Sequence, residues 1–218
     1  MTNKNGTSVI TADAEAAIQI DRIAAETIIV PIIGVTPLIA HRFSEKAKRQ
    51  MLDAMQGRKT PKQPKDPVAE FTAARYRFAD GGDGFPVIGF KSATVGGARF
   101  YQGVTMAALK QFMFFSGEIG NDGQMLARIE YEGDDPIMRE DVVRVNRGGT
   151  DLRYRPIYMA WKTNLKVTYV TSSLTRQSVI SLIDAGGMGV GVGEWRVEKD
   201  GDFGTYRIDQ DRTIEVVK

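Results

Sequence analysis

An α+β fold, with an antiparallel sheet that carries its helices on one face, is what this chain predicts, and three observations predict it. Residues 27–35 are β-branched and nearly continuous (Ile28, Ile29, Val30, Ile32, Ile33), the pattern of a buried central strand. Residues 161–170 alternate, Leu165, Val167 and Tyr169 against Lys166 and Thr168, as a strand with one wet face does. Two helical segments, 91–100 and 175–185, each lead into further strand-like sequence.

The elements follow in order. Residues 1–10 are small and polar, and 12–25 have helical character (Ala14, Ala16, Ala17, Ile18, Ile23, Ala24). Residues 1–26 are therefore expected to form a mobile segment, or an arm that packs on a neighbouring subunit. Pro31 inside the first strand predicts a bulge or bend. Residues 44–56 read as a helix capped by Ser44 and stopped by Gly57. Residues 58–67 hold three prolines and four bases, a flexible loop that opens a basic insertion around 58–83 with a short helix at 68–77. A turn at 81–84 precedes strands expected at 85–90, 109–115 and 125–131, with the 91–100 helix built on small residues (Ala93, Gly96, Gly97, Ala98). Residues 139–155 read as a loop with arginines and Gly148-Gly149. After the 175–185 helix, strands are expected at 194–198 and 204–208 around an Asp200-Gly201-Asp202 turn. A split β-α-β arrangement is the economical solution for this order. The prediction is a ferredoxin-like, RNA-recognition-type antiparallel sheet with helices on one face plus insertions, formed by residues 27–218 as one domain.

Composition narrows the function classes. With 218 residues, 42% of them hydrophobic and 26% charged, the chain can bury a core. No run of 18 apolar residues and no apolar leader are present, so the expectation is no membrane contact and a cytoplasmic site, in a bacterial host cell. Zero cysteines and one histidine remove disulfides, thiolate chemistry and cysteine-ligated zinc, and no metal or cofactor is expected.

Glycine recurs at every second position from Gly187 to Gly193, followed by Glu194-Trp195-Arg196. A dinucleotide site needs strand, glycine loop, then helix, whereas here a helix precedes and a strand follows; no Gly-Lys-Ser/Thr makes it a P-loop either. Such a loop suits close approach of an extended polymer, with Gly189, Gly191, Gly193 and Arg196 as contacts. Trp195 is read as filling the core beneath the loop, with Arg196 pointing outward.

Net charge is only +2, but eight basic residues face three acidic ones between residues 41 and 66. Arg42, Lys46 and Arg49 share one face if their helix begins early, the alternative being a solvated helix face. Arg58, Lys59 and Lys62 lie on the proline-rich loop, either as a phosphate-binding thumb or as a soluble insertion. Arg144, Arg147, Arg153 and Arg155 are interleaved with Asn146, Tyr154 and Tyr158, the basic-aromatic mixture that single-strand contact requires. The alternative for these arginines is pairing with Asp141 and Asp151. Lys91 stands at the small-residue helix, within reach of phosphate. The carboxylate pairs Asp80/Asp83 and Asp134/Asp135 fall in turns, where carboxylates are commonplace, and Asp200/Asp202 and Asp209/Asp211, in the final hairpin turn and the tail, are read as solvated. No residue is assigned to catalysis.

The opening Gly34-Val35-Thr36-Pro37-Leu38-Ile39 after a strand, and the closing Gly193-Glu194-Trp195-Arg196 followed by Phe203-Gly204, resemble the ends of RAMP proteins. Members of that superfamily include the backbone subunits that coat guide RNA in CRISPR effector complexes. The tract from Asp151-Leu152-Arg153-Tyr154-Arg155-Pro156 through Gly204 also resembles uncharacterised bacteriophage proteins. The resemblance covers both ends of the chain and little of its middle. It implies a modified RNA-recognition fold, sequence-independent binding of single-stranded nucleic acid, and lateral self-association.

The sequence thus points to a non-enzymatic single-stranded nucleic-acid-binding protein that forms a homo-oligomer or filament along the strand, in phage recombination, replication or an RNA-guided complex. A phage virion or assembly protein is the alternative. A RAMP-type endoribonuclease using His41 as general acid is the weaker one, since imidazole titrates near neutrality.

Overall fold

The computed structural model describes residues 22–58, 64–133, 136–145 and 149–217. Of the expected N-terminal arm (residues 1–26), residues 1–21 lie outside the described residues, as do Lys59, Lys62, Arg147 and the Asp134/Asp135 pair, while Ala25 and Glu26 are strand rather than helix.

β1 runs Ala25–Gly34 and a two-residue β2 spans Leu38–Ile39. Pro31 makes no bulge: β1 pairs continuously with its main partner strand from Ala25 to Ile33. The Pro31 carbonyl accepts from the Asp209 amide at 3.0 Å, so the side where its N–H would point lies between the pairings made by residues 27–29 and 32–34, and no ladder bond is lost. α1 spans Glu45–Met55, with Ser44 Oγ accepting from the Ala47 amide at 3.2 Å and Gly57 (φ 71°) ending it, as its sequence predicts. α2 spans Pro67–Ala73, capped by Asp66.

β3 (Tyr76–Arg77) and β4 (Asp83–Pro86) follow, and α3 begins at once, spanning Val87–Gly96 and tightening into a 3-10 turn at Gly97–Phe100. The strand expected at 85–90 is therefore two residues of strand and the first turn of a helix. Asp83 is buried and accepts from Arg75 Nε at 2.9 Å. α4 (Met106–Phe112) replaces most of the strand expected at 109–115: Thr105 caps it through the Ala108 amide, and strong helix formers carry it to β5 (Met113–Ser116). β6 (Glu118–Ile119), β7 (Met125–Arg128) and β8 (Glu130–Tyr131) complete the middle of the chain.

The expected arginine-rich loop is a two-stranded ribbon, β9 (Ile137–Val145) and β10 (Gly149–Tyr158), paired from Val145–Gly149 to Ile137–Ile157. Charged side chains concealed its period-2 pattern. β11 (Trp161–Val170) matches its prediction residue for residue. α5, capped by Thr175, spans Arg176–Gly189 and so takes up the first half of the glycine-rich stretch. The strand expected at 194–198 is absent; a 3-10 turn at Val197–Lys199 stands there, and β12 (Tyr206–Ile208) and β13 (Glu215–Val217) close the chain. Asp209 is buried rather than solvated.

The main sheet runs β12-β1-β11-β5, every neighbouring pair antiparallel, with β13 extending the β1 edge and β8 the β11 edge. Taken in chain order the four core strands stand 4-1-3-2, with α3 in the first crossover and α5 in the second. That is the ferredoxin-like arrangement. Ile28, Val30, Ile32, Leu165 and Val167 face the helices and bury against Phe90, Leu182 and Ile183. Phe90, Trp161 and Tyr206 pack ring to ring, Phe90–Tyr206 at 5.7 Å and Trp161–Tyr206 at 6.2 Å. Smaller sheets, β2-β10-β9 and β3-β4-β7-β6, flank this core. No helix among the described residues is long and apolar enough to cross a membrane.

Candidate nucleic-acid interface

Sequence gives α1 one short apolar row (Ala47, Met51, Met55) and a basic one, and it stands off the body: none of its residues is buried. Between α1, α2 and β10 opens a cleft of about 770 Å³ lined by Phe43, Ala47, Tyr154 and the cations Arg42, Lys46, Lys65 and Arg153. Four carboxylates, Glu45, Asp66, Glu70 and Asp151, share it. They divide the cations into two classes. Lys65 is held by Asp151 and by Glu70 at 3.8 Å, and Arg42 by Asp122 at 3.7 Å and Glu45 at 3.9 Å. Lys46, on α1, and Arg153, on β10, make no ion pair among the described residues.

His41 lines this cleft and also a second one of about 260 Å³, walled by α3, the Gly191–Val192–Gly193 turn, Arg196 and Glu198. From His41 a chain of ion pairs leads away into the β9-β10 ribbon. Arg139 Nε donates to Asp141 at 2.9 Å; Arg155 donates to Asp141 at 2.6 Å and to Glu194 at 3.1 Å; and Glu194 Oε1 lies 3.6 Å from His41 Nδ1. The Arg139 guanidinium sits 5.0 Å over the Phe203 ring. The contact with His41, reinforced by the charge of Arg155 and opposed by burial, holds the Glu194 carboxyl below the usual carboxylate range.

Several expected contacts are corrected by this geometry. Arg155 is 1% exposed and paired with two carboxylates, so no polymer reaches it; pairing with Asp141 is the arrangement adopted. Arg42 precedes α1 and turns back to the Ala73 carbonyl at 3.1 Å, so the i, i+4, i+7 row shrinks to Lys46 and Arg49. Arg196 is tied to Glu198 at 3.1 Å and to the Gly193 carbonyl. Gly189 is helical and packs on Phe100. The turn amides serve the fold: Gly191 N–H donates to Gly186, Val192 N–H to Gly204 and Glu194 N–H to Ile39. Gly193 (φ 82°) brings the turn onto the Ile39 carbonyl, and Gly191 also has positive φ. Trp195 does not fill the core: it is 44% exposed, with φ 53°, an uncommon backbone for a large side chain. Lys91 reaches the Lys110 carbonyl at 3.1 Å and lies 5.5 Å from the Phe114 ring centroid.

Arg49, Arg58 and Arg144 are exposed and unpaired among the described residues. The structure thus gathers Lys46 and Arg153 at one cleft, with Arg49 and Arg58 on or beside the same helix, and scatters or buries the rest. Sequence reasoning missed Glu194 as the residue that joins His41 to Arg155. The signal was present in the spacing of opposite charges, Asp141 and Arg155 falling on facing strands, but only the ribbon's pairing makes them neighbours.

No family model and no curated protein matches this chain. Among solved structures it is similar to a chain of the Type III-B Cmr-beta complex bound to cognate target RNA, with 11% identity and a TM-score of 0.47 over 89% of this chain and 61% of that one. The chain therefore spans about three-fifths of that protein's length. It is also similar to Cmr6 from Pyrococcus furiosus, with 9% identity and a TM-score of 0.45, over 86% of this chain and all of the other. At these values the ferredoxin-like assignment rests on the strand order itself.

Proposed function

We propose that this chain is a non-enzymatic, RAMP-type protein that binds single-stranded nucleic acid without base readout and self-associates along the strand, in a phage or RNA-guided setting. The observation that carries the reading is the open cleft whose lining joins unpaired Lys46, on α1, and Arg153, on β10, to Tyr154 and Phe43, since single-strand binding joins cations for phosphates to flat side chains for bases. The motifs at both ends of the chain support the RAMP assignment. Because half the cleft's cations are already neutralised, the free ones carry the affinity, which should fall steeply with salt.

The test is fluorescence anisotropy with labelled single-stranded RNA and DNA at rising salt. Wild type is expected to bind at micromolar protein in low salt, and Lys46→Gln with Arg153→Gln to weaken binding about tenfold while melting at the wild-type temperature. Binding indifferent to ionic strength, or none, refutes the reading. His41 serves here to hold Glu194. RNA incubated with wild type should stay full-length, and cleavage abolished by His41→Ala would replace this reading with an endoribonuclease.

A further inference from the structure

The main sheet has a second face, turned away from α3 and α5. The register fixes what stands on it. Ile33 pairs with Lys162 on one side and Arg207 on the other, Ile29 pairs with Lys166, and Thr168 pairs with Phe114, so all of these project to the same face. Ile29, Pro31 and Ile33 form the apolar row along β1 on this face, Ile29 and Ile33 half-buried and Pro31 between them buried. Phe114 is exposed at the outer strand, its ring flanked by Lys91. Lys162, Lys166 and Arg207 make no ion pair and no side-chain hydrogen bond among the described residues. The carboxylates on this face are Glu130 and Glu215, and Glu130 is already engaged by Arg212 at 3.5 Å and Asn164 at 3.4 Å.

We infer that this open sheet face is a second binding platform for single-stranded nucleic acid, separate from the α1–β10 cleft. The inference rests on the reading proposed above and extends it. The face offers the two components such binding uses, a flat apolar strip with an exposed ring for bases and cations on both flanks for phosphates. Lys162 and Lys166 lie four residues apart on one strand, about 13 Å, and Lys162 and Arg207 two strand spacings apart, about 10 Å, so the cations frame the strip rather than cluster on it. A second copy of this chain fits worse. A self-complementary interface across this face would set unpaired lysines and arginine against their own copies, and like charges brought together cost affinity.

The experiment compares wild type, Lys166→Gln with Arg207→Gln, and Lys166→Arg with Arg207→Lys by anisotropy against a labelled 20-nucleotide single strand over a salt series, with light scattering on each protein alone. Both positions are exposed, so all three proteins are expected to melt together. The Gln pair is expected to bind about tenfold more weakly and to flatten the slope of log affinity against log salt by about 1.4, two phosphate contacts at about 0.7 each. The conservative pair is expected to keep both values. Wild-type affinity and slope in the Gln pair overturn the sheet platform and leave the cleft reading standing, whereas a wild type that binds no oligonucleotide removes both. A nucleic-acid-free dimer that the Gln pair dissociates, with oligonucleotide affinity unchanged, overturns the platform in favour of a protein interface.

Discussion

Two regions of this molecule use opposite strategies. Where α5 crosses α3, the backbones nearly touch: a Cβ on Gly97 would come within 2.8 Å of the Leu182 carbonyl, and one on Gly186 within 2.8 Å of Thr94 Cα. Around α1, no side chain is buried and the helix borders an open cleft. The glycine density that sets the C-terminal stretch apart in sequence is thus the mark of close packing, and the surface free to take a ligand lies where the chain is loosely held. Close approach explains glycine equally well whether the neighbour is a polymer or another helix, and only the fold tells which.

The comparison can be broken most severely at the buried ion pair of the ribbon. Arg155→Ala takes from buried Asp141 one of its two cations, leaving only the more exposed Arg139, and should cost about 3 kcal/mol in urea or thermal unfolding. A loss below 1 kcal/mol would mean the network is ornamental. Gly186→Ala comes next, at about 1–3 kcal/mol, because its methyl would have to displace α3 backbone. The two capping residues then set the regions against each other. Thr175→Ala should lower global stability by about 1 kcal/mol, since α5 is part of the core. Ser44→Ala should leave the melting temperature in place and instead quicken amide exchange within residues 45–55, since α1 can open alone.

The smallest effect is electrostatic. Glu26 accepts from Arg176 at 2.9 Å and 2.7 Å and from the Tyr169 hydroxyl, and these bonds lower its carboxyl to about 2, Arg176 contributing most. A carboxylate lowered on folding contributes stability above its unfolded value near 4.5 that fades as pH falls toward 2. An NMR titration should find the Glu26 midpoint near 2, and Arg176→Ala should return it toward 4.5.

Residues with one strong local determinant announced their structure. β1 and β11 were readable from β-branching and alternation, and α1 from Ser44 and Gly57. The strand order follows once two helices are placed between them. The ribbon was hidden because Arg139, Asp141, Arg153 and Arg155 sit where apolar alternation would have shown it, and Asp141 meets Arg155, 14 residues on, only across the paired strands. α4 was missed although Thr105 offered its cap, because Phe112, Phe114 and Phe115 lent the segment the look of a strand. At the candidate site the sequence singled out Lys46 and Arg153 but had no means to separate them from Arg155, two residues beyond Arg153 and buried.

Amide hydrogen exchange with and without a single-stranded oligonucleotide tests the contrast between the two regions most directly. Slower exchange in α1 and in the cleft-lining part of β10, with the 186–193 stretch unchanged, is the predicted result. Protection confined to residues 186–193, or none anywhere, would contradict it.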